Sequence, residues 1–303
     1  MTAAHVIAVD VGGTTVKGAL VTSDHRIVAE TRRPTPRHQG PDEIIRVIVE
    51  TVDELRNHGL VVTRAGIVVP GIVDDDRGYV VLSTNLGLRE VPLAARLRQL
   101  VGLPVTVGHD VRAGAVAEAS LGAAAGRRHA LFMAIGTGIA GAFITDGHLL
   151  CSDGWAGEIG HLTIDPRGPD CPCGSHGCLE TLASARAIAD AFTRHTGIRV
   201  DGAADVAQRV LDGDPMARVV WDGAVGALAE AAALLTTALG PEIIVIGGGL
   251  GDSGELLLGP LRDRLADLLT FQRVPTVVRA SLGSRAGCVG AGRLAWRDAA
   301  PER

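Results

Sequence analysis

Apolar residues along this chain fall into two rhythms. Short continuous runs bounded by glycine or aspartate predict buried strands, and apolar positions three and four apart predict helices. Residues 5–10, HVIAVD, form an apolar run that ends in Asp10. Gly12-Gly13-Thr14-Thr15 then turns the chain into a second strand at 16–21, and a third near 26–32 completes a meander. A proline-rich stretch, 34–41, leads into a helix starting at Pro41, with Ile44, Ile48, Val52 and Leu55 at helical spacing and Gly59 closing it. A strand at 66–69, a turn-rich loop, a helix from 92 to about 101 and a strand at 104–107 follow. The last of these runs into Gly108-His109-Asp110 and a helix of small residues to about Leu121.

The same order then repeats. Residues 130–135 predict a strand, Gly136-Thr137-Gly138 a tight turn, 140–145 a second strand and Asp146-Gly147 a hairpin turn. Helices are expected at about 182–195, 203–212 and 215–239, then a strand at 242–247, a helix at 255–269, a strand at 276–280 and a last helix from about 285 to 296. Each half gives a mixed sheet covered by helices, an α/β organisation. Two such halves resemble the duplicated, ribonuclease H-like fold of the actin, hexokinase and Hsp70 ATPases, which implies two domains with an interdomain cleft for the nucleotide. The expected division is a small domain over 1–112, with a C-terminal helix at 289–303 packing back on it, and a large domain over 113–288. Residues 153–180 interrupt the second half as an insertion. Closure of the cleft is expected, because phosphoryl transfer to anything other than water requires water to be kept out.

Composition narrows the class. With 303 residues, 47% of them hydrophobic, the chain is large enough for two cores. A net charge of −5 argues against nucleic acid as a partner. The sequence enters its first strand with no basic leader, and its most apolar stretch, 224–239, is interrupted by Glu230, so a buried helix and no membrane partner are expected. Five cysteines, three of them clustered, suit a reducing cytoplasm, with Cys151 and Cys288 left as structural thiols. Of 29 basic residues only Lys17 is lysine, which marks a place where a compact ammonium is wanted.

The chemistry concentrates in DGWAGEIGHLTIDPRGPDCPCGSHGCLE, residues 153–180. Cys171, Cys173 and Cys178 stand at zinc-ligand spacing with glycines between them, and a histidine would close a structural tetrahedral site. His161 is the better fourth ligand and His176 the rival. Both strand hairpins carry glycine turns with a threonine, whose exposed N–H groups suit phosphate oxygens. The letters Gly136-x-Gly138-x-x-Gly141 satisfy a dinucleotide fingerprint but lack the helix it requires, and no Gly-x-x-x-x-Gly-Lys-Ser/Thr loop is present. Asp110, where a strand gives way to a helix, reads equally as a general base or as a helix N-cap. The run Asp74-Asp75-Asp76 lacks calcium-loop spacing and reads as a solvated turn. Trp155, Trp221 and Trp296 are too scattered for a base-stacking platform.

Glu158-Ile159-Gly160-His161, followed ten residues on by Cys-x-Cys-Gly-x-x-Gly-Cys-x-Glu, resembles the signature of the ROK family of repressors and sugar kinases. The resemblance implies zinc on His161, Cys171, Cys173 and Cys178, and a sugar held by Glu158, His161 and Glu180, with Gly71, Asn85 and His109 at further sugar-binding positions. It implies Asp110 as the base. It also implies ATP against the Asp10, Gly12, Gly13, Thr14, Thr15, Lys17 loop, the Gly136, Thr137, Gly138 loop and the Gly247-Gly248-Gly249 turn, with Asp10 holding Mg2+. Glucose is the expected acceptor, N-acetylmannosamine and N-acetylglucosamine are alternatives, and a homodimer is the expected assembly. His109 stands where kinases of this family usually have a sugar-contacting Asn, which bears on the choice of acceptor; Ala140 and Ala142 stand where the family favours glycine. Two further expectations compete with the kinase: a repressor, for which no DNA-binding domain precedes the first strand, and a sugar-binding protein without catalysis.

Overall fold

The computed structural model describes residues 4–36 and 39–297, and the expected helix end at 298–303 lies outside them. The chain forms two compact units, one of residues 1–120, 151–156 and 284–303, the other of residues 121–150 and 157–283.

In the first unit β1 (His5–Val11), β2 (Thr15–Thr22) and β3 (Ile27–Pro34) form the antiparallel meander, while β4 (Val62–Val69) and β8 (Val105–His109) run parallel to β1. The sheet order is β3-β2-β1-β4-β8. All seven residues of β1 are buried, because both faces of the sheet are covered. Ile7, Val9 and Val11 pack with Ile44, Ile48 and Leu55 of α1 (Pro41–Arg56) and with Leu93 and Leu97 of α2 (Leu93–Val101). Val6 and Ala8 face the other way, toward Ala113 of α3 (Asp110–Leu121) and Ala291 and Ala295 of α9 (Ala286–Arg297). That packing keeps α3 with the first unit, so the division falls after Ser120 and not after Arg112.

The α9 face is made of small residues so that the helix can lie close. A Cβ on Gly66 would run into the backbone carbonyl of Ala291. Gly66→Ala is therefore expected to destabilise the protein by roughly 1–3 kcal/mol through forced separation of α9 from β4. A urea midpoint unchanged from wild type would contradict this packing.

The turn-rich loop expected between β4 and α2 is in fact a three-stranded antiparallel sheet of β5 (Ile72–Asp74), β6 (Tyr79–Ser83) and β7 (Leu88–Val91). Its strands are three to five residues long and separated by turn-forming residues, too short for a period-two pattern to register.

The second unit repeats the arrangement. β9 (Ala130–Ile135), β10 (Ile139–Thr145) and β11 (His148–Leu149) are antiparallel, β12 (Ile243–Gly247) and β13 (Thr276–Arg279) are parallel to β9, and the order is β11-β10-β9-β12-β13. α4 (Leu179–Ala183), α5 (Ala185–Thr196), α6 (Ala203–Leu211), α7 (Pro215–Leu239) and α8 (Glu255–Leu268) complete it. The helix expected at 182–195 starts earlier and breaks at Ser184, whose extended backbone and side chain cap α5 by accepting from Ala187 N. α7 is long and apolar enough to cross a membrane by composition alone. Of its 25 residues 12 are instead buried in the unit core, with Leu228, Ala229 and Ala231 fully enclosed.

Candidate active site

Asp10 is the penultimate residue of β1 and Asp110 follows β8, so two carboxylates stand at the carboxyl edge of the parallel strands of the first unit. Burial pushes Asp10 up to about 6; the Lys17 ammonium, 3.5 Å away, opposes this, and the Asp110 charge adds to it. Lys17 also donates to the carbonyl of Ser284 at 3.1 Å. Gly287, at the start of α9, leaves room for the Asp10 carboxylate, which a Cβ there would strike. The sole lysine thus fixes one oxygen of a buried acid. In the turn after β1, Gly12 N–H donates to Thr15 O at 3.0 Å, and the Thr35 hydroxyl donates to Gly12 O at 2.6 Å. Gly13, Thr14 and Thr15 complete that turn, with Thr14 exposed.

Asp110 is likewise pushed up to about 6 by burial, against the lowering effect of Val111 N–H and the Arg112 charge. Its Oδ1 accepts from Val111 N–H at 2.7 Å. The capping bond from the third helical residue goes elsewhere, since Arg112 N–H donates to Nδ1 of His109 at 3.3 Å. His109, the preceding residue, caps the helix and leaves Asp110 available for chemistry.

Asp75 is the functional neighbour that sequence reasoning missed. The acidic run was expected to be solvated, yet Asp75 accepts from His109 N–H at 3.2 Å and from Arg112 Nη2 and Nε at 2.8 and 3.3 Å. Arg112 is almost fully buried and also donates to Val73 O and Gly154 O. A buried guanidinium needs such a carboxylate partner, and nothing in the sequence distinguishes the second aspartate of three. Of the remaining sugar-binding candidates in this unit, Asn85 is exposed in a short 3-10 turn, and Gly71 (φ 111°) passes close to the Leu82 carbonyl.

In the second unit the cysteine stretch gathers four donors. One ligand atom each from His161, Cys171, Cys173 and Cys178 lies within 4.8 Å of all the others. Tetrahedral zinc, with bonds of about 2.3 Å to sulfur and about 2.0–2.1 Å to nitrogen, sets sulfurs about 3.8 Å apart and sulfur about 3.6 Å from nitrogen. The Cys173 and Cys178 sulfurs are 3.7 Å apart, and Cys171 Sγ is 3.6 Å from His161 Nδ1. The donors fit the ion. Burial and the neighbouring thiols push Cys178 up to about 12, the behaviour of sulfurs that need a cation between them before they can all ionise. His176 is not part of this set; its Nε2 pairs with Asp170 at 3.1 Å. With Nδ1 turned to the sulfurs, His161 presents Nε2 toward Glu158, at 4.0 Å.

Glu180 links this stretch to the glycine turn after β9. Its Oε2 accepts from Ile139 N–H at 2.8 Å, and a Cβ on Gly138 would sit 2.5 Å from that oxygen. Gly136 N–H closes the turn on Gly138 O at 2.9 Å, leaving Thr137 exposed at its tip. Gly247 ends β12 buried, and Gly248 (φ 77°) and Gly249 are exposed beyond it.

A five-stranded sheet ordered 3-2-1-4-5, present once in each unit with a glycine turn after its first strand, defines the duplicated fold of the actin, hexokinase and Hsp70 ATPases. The ROK family profile matches residues 6–298, and the chain belongs to that family. It is 36% identical over 307 residues to a glucokinase of Thermotoga maritima, covering 95% of this chain and 96% of that one. It is 32% identical to an N-acetylmannosamine kinase of Citrobacter koseri, covering 96% and 99%. Among solved structures, a ROK family glucokinase of Streptomyces griseus, in complex with glucose and AMPPNP, superposes with a TM-score of 0.86 at 31% identity, covering 97% and 99%.

Proposed function

We propose that this chain is an ATP:hexose phosphotransferase that converts glucose to glucose 6-phosphate, with Asp110 as general base. The observation that carries the reading is the Asp110 carboxylate itself. It is relieved of helix capping by His109, it stands beside Asp10 at the carboxyl edge of the sheet, and burial tunes it to about 6. A base with that affinity is ionised at neutral pH and still takes a proton readily from a hydroxyl held against it. The two glycine turns and the Gly247-Gly248-Gly249 turn bind the nucleotide, while Asn85, Glu158, His161 and Glu180 hold the sugar hydroxyls. Mg2+ bound with ATP would neutralise charge on the phosphates, and Asp10 is the carboxylate that would hold it. Three cysteine sulfurs and an imidazole nitrogen, all within 4.8 Å of one another, support a structural zinc beneath His161. The protein works in the cytoplasm, as a homodimer, on small molecules.

The acceptor is tested by measuring ADP release from Mg-ATP with glucose, N-acetylmannosamine, N-acetylglucosamine, fructose and mannose, using Asp110→Asn as the blank. The highest kcat/KM is expected with glucose. A higher value with N-acetylmannosamine would reassign the acceptor, and no sugar-dependent release would leave a sugar-binding protein.

The pH dependence follows from the same carboxylates. Only the ionised base accepts a proton, so kcat/KM is expected to be flat above about pH 7 and to fall at least tenfold per unit below about pH 6. Because Asp10 titrates in the same range, the limb belongs to the pair. A limb at the ordinary carboxylate position, near pH 4, would contradict the assignment.

A further inference from the structure

The imidazole of His109 is buried, with 5% of the residue exposed. Its Nδ1 accepts the Arg112 N–H, so the ring proton resides on Nε2. Nε2 lies 3.4 Å from Oδ1 of Asp110, the oxygen that already accepts Val111 N–H. The backbone of His109 is anchored in turn by its own N–H on Asp75, which Arg112 grips through two nitrogens. Every contact therefore fixes one tautomer and one ring orientation. The charge on the ring is fixed as well: burial, and then the Arg112 guanidinium, push His109 down to about 3, against the raising effect of Asp75. The groups facing the dyad are Asp75 and Arg112 beside the ring, and Asp10, Lys17 and Arg112 around the carboxylates.

We propose that His109 is a positioning residue for the base: its Nε2–H, 3.4 Å from Oδ1 of Asp110, holds that oxygen and leaves Oδ2 as the one that receives the proton. This rests on Asp110 acting as the base. In the step, the sugar hydroxyl proton passes to Oδ2 while the hydroxyl oxygen bonds to the γ-phosphorus and the bond from that phosphorus to the ADP oxygen breaks. His109 keeps its own proton throughout. The two oxygens of Asp110 are thereby told apart before substrate arrives. An imidazolium in the same place would pair with the carboxylate and weaken it as a base. Burial, and then Arg112, prevent this, so the partner donates a hydrogen bond without adding charge.

Two substitutions separate this role from helix capping. Serine caps a helix but does not reach Asp110, whereas asparagine caps it and still offers an N–H. His109→Ser is expected to lower kcat roughly 10- to 100-fold, with KM for sugar and ATP within about twofold of wild type and Tm little changed. His109→Asn is expected to recover most of kcat. An unchanged kcat in His109→Ser, or a raised sugar KM at constant kcat, would overturn the proposal. The second outcome would make the ring a sugar ligand instead. Imidazole nitrogen NMR on the wild-type protein gives a readout independent of turnover and of how the variants fold. A proton on Nε2 and no imidazolium is expected between about pH 5 and about pH 8, and either an Nδ1–H tautomer or a charged ring in that range overturns the proposal. Turnover retained in Asp110→Asn would overturn the underlying assignment of the base. A dead Asp110→Asn beside an unaffected His109→Ser would overturn the positioning role alone.

Discussion

Asp110→Asn is expected to lower kcat by about 10²–10⁴ while leaving the protein more stable than wild type. The amide is nearly isosteric with the carboxylate, and its oxygen can still accept from Val111 N–H, so the start of α3 should survive intact. Only the ability to take a proton is lost. Stability moves the other way because the folded protein pays to keep that carboxylate charged. Its pKa is raised from 3.8 to about 6, so the native state binds the proton more tightly than the unfolded chain does. Stability contributed by this group is full below about pH 4, declines as pH rises toward about 6, and is absent above it. The asparagine variant escapes that loss. With a quarter of the side chain reaching solvent, the gain at pH 7 should be about 1–2 kcal/mol, or a few degrees in Tm. The stability difference between variant and wild type should shrink on acidification. Calorimetry from pH 4 to pH 8 would show it; an asparagine variant less stable than wild type at pH 7 would mean that Asp110 is structural.

Cys178→Ser is expected to abolish stoichiometric zinc and raise the sugar KM by at least about tenfold, with a large fall in Tm. Cys178 is buried, and its sulfur lies against Cys173 Sγ and the His161 carbonyl. The stretch from Gly157 to Cys178 has few apolar anchors, Ile159 being its buried hydrophobic residue beside the cysteines themselves. A zinc ion bound by these four donors would supply what a core otherwise supplies, since structural zinc sites bind with about 10–16 kcal/mol that is largely folding energy. Without the metal only the weak contact with Cys171 Sγ would hold His161 Nδ1 inward, and its Nε2 would be less firmly directed beside Glu158. Metal analysis by mass spectrometry, paired with sugar titrations, checks both parts. A zinc-free variant with wild-type sugar affinity would show that the ion and the sugar site are independent.

Most of the architecture was legible in the sequence because its strands are continuous apolar runs ended by glycine or aspartate, as HVIAVD and residues 130–135 are. The zinc donors were legible because ligand spacing in a short loop leaves few geometries, and the fold brings the four expected atoms together. What escaped was contact between distant positions. Arg112 meets Asp75 across 37 positions and Glu180 meets Ile139 N across 41, and no periodicity encodes either bond. The same applies to His109. A ring nitrogen acting as a helix cap depends on a rotamer, and the letters Gly-His-Asp read more naturally with Asp110 in that role.

The order in which the first unit is completed bears on how the chain is made. In chain order β1 is made before the second unit, and α9, which covers Val6, Ala8, Ala19, Val21 and Val68, is made after the whole of it. Translation at about 5–20 residues per second leaves that apolar sheet face uncovered for tens of seconds. The second unit, whose residues between 157 and 283 are contiguous, can close its core in the meantime. A nascent chain halted before Ala286 would therefore be a folded second unit carrying an open, adhesive sheet, a natural target for chaperones and proteases.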